Sequence, residues 1–219
     1  MKQTDYEYYE EMKALARQVR SEHGLNTPRV LRSHMRSIYK KYGIQFDLWP
    51  VKGAPPSVKL RSLRGAFFND EYGVTIMVNR FLPDAPAIFT MGHELKHFLV
   101  DRDHKNLWCG DDNLNDKIEI GAEVFASELM FPEKDFEDFL LKMGVKKGEC
   151  TDEDLVRLKH ATQTTLSYAG LVKKAEFLEF VAKGSLSKVK WQQLEEKIYG
   201  VPDYKLLRPQ RKQSKKLTC

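Results

Sequence analysis

His93-Glu94-Leu95-Lys96-His97 places two imidazoles four residues apart with a carboxylate beside the first. On a helix, residues four apart share a face, so both rings can reach one ion. Zinc takes imidazole nitrogen at about 2.0 to 2.1 Å, and a hydrolytic site uses three protein ligands so that a fourth position stays open to water. Glu94 lies about 100° around the helix from His93, beside that position instead of on the metal. A carboxylate there can take the proton of the attacking water and later pass it to the leaving amine. The pattern therefore predicts peptide hydrolysis without a covalent intermediate, with His93 and His97 as ligands to one zinc ion per chain and Glu94 as general base.

The third ligand has to come from another element. Glu119, Ala122, Ala126 and Met130 fall on one helical stripe, with Glu123 near it. Small alanines at that spacing let a second helix approach the first, which brings the Glu119 carboxylate to the ion. Asp103, six residues after His97, is the competing acid. That geometry wants glycine three residues after the second histidine, where the chain turns sharply. Val100 stands there, and a β-branched residue resists the left-handed backbone such a turn can require. Glu119 is therefore the expected third ligand, with Glu123 the alternative acid on the same helix. Asp101, Asp103 and His104 are further groups that could serve the site, and Tyr72 or Arg64 could donate a hydrogen bond to the developing oxyanion.

Elements able to carry these residues follow from periodicity. Residues 4 to 23 read as an amphipathic helix, a second helical pattern runs from Val30 to Tyr42, and Ile44 to Trp49 alternates like a strand. The segment from Pro50 to Ser57 reads as a loop. Gly65 to Asn69, the turn Asp70 to Gly73 and the β-rich Val74 to Val78 predict a hairpin. Its second strand, Val74 to Val78, is a candidate edge against which an extended substrate could pair. Asp84 caps a helix that runs to about Val100 and holds the motif. A polar loop from Asp101 to Asp116 precedes a helix from Lys117 to Met130, ended by Pro132. Further helices are expected at 133–143, at 152–182 with a break at Gly170, and at 187–199. Leu158, Ala161, Leu166, Ala169 and Leu171 have a spacing compatible with a helix-turn-helix, but serve equally as the buried stripe of packed helices.

Composition bounds the rest. With 42% hydrophobic and 31% charged residues the chain is an ordinary globular one, and its apolar runs are far short of the roughly 20 residues that cross a bilayer. The first ten residues carry acids where a secretory signal has an apolar core. Cys109, Cys150 and Cys219 form neither a disulfide framework nor a zinc ribbon. A cytoplasmic protein is expected. The net charge of +5 comes from the end of the chain, where Lys205, Arg208, Arg211, Lys212, Lys215 and Lys216 stand without an acid. That stretch reads as a solvated basic tail, and nucleic acid is expected to be met only weakly and only there.

Thr90-Met91-Gly92-His93-Glu94-Leu95-Lys96-His97-Phe98-Leu99, followed by Glu119, Ala122, Phe125-Ala126 and Pro132, resembles the ImmA/IrrE family of zinc metallopeptidases. The hairpin from Gly65 to Asn79 resembles the strands that precede the motif there. The resemblance implies an α+β, zincin-like fold: a small antiparallel sheet packed on an active-site helix pair, with added N- and C-terminal helices. It implies a single metallopeptidase domain over 1–207, with its metal-binding core at about 64–132, helices at 133–199 and a basic flexible tail at 208–219. It also implies a protein substrate, a helix-turn-helix repressor whose cleavage relieves repression of stress or mobile-element genes. The alternative is a zinc-stabilised module that binds such a repressor without cutting it. Three positions depart from the family. Lys96 stands where glycine is usual and is expected to point away from the ion, and Gly121 and Glu123 stand where an acid or amide and an asparagine are common.

Overall fold

The computed structural model describes residues 3–50, 63–102, 106–108 and 116–201. The basic tail, Cys109, Cys219, Asp103, His104 and residues 51–57 of the expected loop lie outside them. Helices α1 (Gln3–Glu22) and α2 (Arg32–Lys41) lead into strand β1 (Gln45–Trp49). The hairpin of β2 (Gly65–Asp70) and β3 (Gly73–Asn79) follows, then the motif helix α3 (Asp84–Val100), a short strand β4 (Asn106–Trp108) and helix α4 (Asp116–Met130). Four helices complete the described chain: α5 (Glu133–Lys142), α6 (Asp152–Thr162), α7 (Tyr168–Phe177) and α8 (Trp191–Tyr199).

The architecture is α+β, and the sheet is mixed, not antiparallel as expected. Strand order is β1-β3-β2-β4, with β2 antiparallel to both neighbours and β1 parallel to β3. The reason is topological: the chain leaves β1, crosses to the far side of the position β3 will take, and the hairpin returns β3 between them. Val74 to Val78 is consequently an interior strand, paired on both sides, and the edges among the described residues are β1 and β4. The expected polar loop after the motif helix also contains a strand, because β4 caps the otherwise open edge of β2 over Ala66, Phe67 and Phe68.

One face of the sheet carries Phe67, Ile76 and Val78, all fully buried against α3. Helix α3 is covered on its other side by α4, and α4 by α1. Buried almost all round, α3 lacks the polar face of a surface helix. Three small residues allow the close packing: a β-carbon on Gly92 would meet Ala126 Cβ at 3.4 Å, and Ala122 and Ala126 are themselves fully buried. The expected alanine stripe therefore faces the motif helix. The long C-terminal helix breaks at Gln163, whose φ is 50°, and not at Gly170. Ser167 starts α7 by accepting from the Gly170 N–H at 3.2 Å, which puts the glycine in the first turn of a new helix. Leu158, Leu166 and Leu171 are buried core, whereas Ala161 and Ala169 face solvent.

Candidate metal centre

Helix α3 is anchored before it reaches the motif. Arg32 on α2 pairs with Asp84 at 2.8 Å, and the buried Tyr39 hydroxyl donates to the Met91 carbonyl at 2.6 Å. The next turn presents His93 and the following one His97, both buried. From α4, Glu119 reaches toward them half-buried.

The three side chains converge. His93 Nε2 lies 3.1 Å from Glu119 Oε2, His97 Nε2 lies 3.2 Å from His93 Nε2, and His97 Nε2 lies 3.5 Å from Glu119 Oε1. Donors about 2.05 Å from a tetrahedral centre are about 3.3 Å apart, so this spacing is that of three corners around one zinc-sized ion. His93, His97 and Glu119 form a group able to hold a metal. Glu123, the alternative acid, is exposed and pairs instead with Lys173 at 3.3 Å.

Protonation states suit ligation. Burial is the main reason the His97 imidazole is held below its ordinary pKa, with His93 adding to it and Asp101 opposing; the neutral ring is the one that binds a metal. His97 Nδ1 lies 2.7 Å from Asp101 Oδ2, and with the proton on Nδ1 the lone pair of Nε2 points at the site. Burial works to raise the Glu119 pKa, but the hydrogen bond from His93 and the nearby positive charge hold it below the usual range. Asp101 behaves likewise: its bonds from His97 and Lys96 outweigh burial and keep it ionised.

Glu94 is in the opposite situation. Its side chain is fully buried, and neither carboxylate oxygen has a hydrogen-bond partner among the described residues. Burial first, and the Glu119 charge second, push its pKa well above the ordinary value. Native interiors rarely leave a buried carboxylate without a partner. An orphaned carboxylate beside three convergent donors fits a site that takes a metal and a polar reactant.

Other candidates sort by position. Asp101 adjoins the group, hydrogen-bonded to His97. Arg64 adjoins Gly65, which touches Glu94, whereas Tyr72 is 89% exposed at the far end of the hairpin and cannot reach the centre. Lys96 turns into the interior, where its ammonium donates to Asp101, the partner of His97, and to the Ile118 carbonyl. Gly121 is explained by α1, since a β-carbon there would stand 2.6 Å from the Tyr8 ring. His34 accepts from the Leu31 N–H at 3.3 Å and His160 stacks on Tyr199, so both are structural. A cavity of about 230 Å³, lined in part by Trp49, Phe68 and Met77, lies on the sheet face turned away from α3.

Comparison with known families agrees with this arrangement. The IrrE N-terminal-like domain, a peptidase family, matches residues 56–176, a span that runs from before β2 into α7 and contains His93, Glu94, His97 and Glu119. No curated protein matches the chain.

Proposed function

Because the chain belongs to the IrrE N-terminal-like peptidase family, we propose that it is a zinc-dependent endopeptidase of zincin-like fold that cleaves a helix-turn-helix transcriptional repressor. The observation that carries the reading is Glu94: a fully buried, unpartnered carboxylate next to the group formed by His93, His97 and Glu119. A site built only to stiffen the fold has no need of it, and this speaks against a module that binds without cutting.

In this reading His93, His97 and Glu119 hold the ion, which when bound supplies Lewis acidity to the scissile carbonyl and to the attacking water. Glu94 accepts the proton of that water. Once protonated, the same carboxylate can hand the proton to the leaving amine. Asp101 keeps His97 in the tautomer that presents Nε2. An extended substrate is assigned to β4, the edge strand beside β2 among the described residues, because β2 touches the base through Gly65.

Expression of the wild-type chain in its host cell, with labelling of new protein termini, tests the substrate. A cut within a helix-turn-helix repressor, present with wild type and absent with Glu94→Gln, is the expected result. Repressors left intact by an active, zinc-loaded chain would contradict it.

A further inference from the structure

Lys96 has no exposed surface, although it sits between Leu95 and the expected ligand His97. An ammonium in the interior is costly unless strong partners compensate, and an apolar residue would fill the same place without that cost. Its partners account for it. Nζ donates to Asp101 Oδ2 at 2.7 Å and to the Ile118 carbonyl oxygen at 3.1 Å, with the Tyr8 ring 5.6 Å away as a cation–π partner. Asp101 Oδ2 is the same oxygen that bonds His97 Nδ1, and Ile118 directly precedes Glu119. One side chain therefore joins the group that holds the α3 ligand to the backbone beside the α4 ligand.

We propose that Lys96 is a positioning residue of the metal centre, bracing Asp101 against His97 and tying the start of α4 to α3 so that the His97 imidazole and the Glu119 carboxylate keep their spacing. The proposal rests on the zinc reading above and adds a residue that touches neither metal nor substrate.

Lys96→Met keeps the length of the side chain and removes its charge. Chelator competition should show zinc affinity lowered about 10-fold to 100-fold. The cobalt-substituted variant should have an altered visible spectrum, because the ligand field reports the angles among His93, His97 and Glu119, while its far-ultraviolet circular dichroism stays that of the wild type. Combining Lys96→Met with Asp101→Asn should cost less than the product of the two single losses, since one acts largely through the other. Should Lys96→Met not fold, the double variant carries the test, because it leaves no lone charge in the interior. Wild-type zinc affinity with a wild-type cobalt spectrum, in either variant, overturns the proposal. A wild-type chain that binds no zinc overturns the reading of the site itself, and this proposal with it, so the two failures are told apart.

Discussion

A β-carbon built on Gly65 would stand 2.7 Å from Glu94 Oε1 and 2.5 Å from Thr90 Cγ2. Strand β2 is thus packed onto the side chain assigned as the base, with no room for a methyl group. Thr90 is buried and β-branched, so it cannot swing aside. Gly65→Ala should therefore displace Glu94 or the strand end, and a displacement near 1 Å can cost about 100-fold in rate. Peptide cleavage should fall at least about tenfold with zinc content unchanged, read by cleavage kinetics beside elemental analysis. An unaltered rate would mean that this contact does not set the position of Glu94.

The choice between the two acids of α4 can be measured separately. Glu119→Ala removes a donor from the group of three and should lower zinc affinity by more than the roughly 100-fold typical of changes behind a ligand. Glu123→Ala should leave affinity as it is, because its carboxylate pairs with Lys173 on the surface. Paired chelator titrations giving the reverse order would refute the ligand assignment.

Much of the centre was legible because it is local. Residues four apart on a helix meet whatever surrounds them, and the alanines that follow Glu119 marked the face that packs closely. What could not be read depends on distant partners. The alternation of Val74 to Val78 is the same for an edge and an interior strand, so nothing in it told of β1 alongside. Lys96 looks like any solvated lysine, since its Ile118 and Tyr8 partners lie far away in sequence. Gln163 carries no signal for a left-handed turn, so the break was expected at Gly170 instead. Gly121 stood out only as a departure from the family pattern, because its cause, the close approach of Tyr8, comes from another helix.

That approach gives a test of how α1 is held on α4. Glycine to alanine within a helix usually stabilises by about 1 kcal/mol. At Gly121 the added carbon would lie 2.6 Å from the Tyr8 ring, and overpacking of this kind costs about 1 to 3 kcal/mol. The steric cost should win, so Gly121→Ala should lower the melting temperature. In a Tyr8→Ala background the same change should become neutral or stabilising. Equal effects in both backgrounds would show that the ring is not the obstacle.

Burial of Glu94 has a consequence for the metal-free protein. Its folded-state pKa is raised by burial and by Glu119, so its contribution to stability is full below the ordinary carboxylate pKa of about 4.3 and is lost as pH rises through the folded value. Glu94→Gln removes that loss. Stripped of metal at neutral pH, the variant should melt higher than wild type, by about 2 to 4 °C for each kcal/mol regained, and the difference should shrink as the pH is lowered toward about 4. A lower melting temperature for the variant at neutral pH would show that the carboxylate is stabilised by something other than the described residues.

Glu94→Gln also separates metal binding from catalysis, because the amide keeps the shape of the side chain but cannot accept a proton. The decisive measurement incubates zinc-loaded wild type and variant with a proteome-derived peptide library, counts new termini by mass spectrometry, and determines zinc in both proteins. Equal zinc, about one ion per chain, with cleavage by wild type alone and its loss on chelation, is the predicted result. Cleavage by Glu94→Gln at the wild-type rate, or wild-type cleavage that survives removal of zinc, would contradict it.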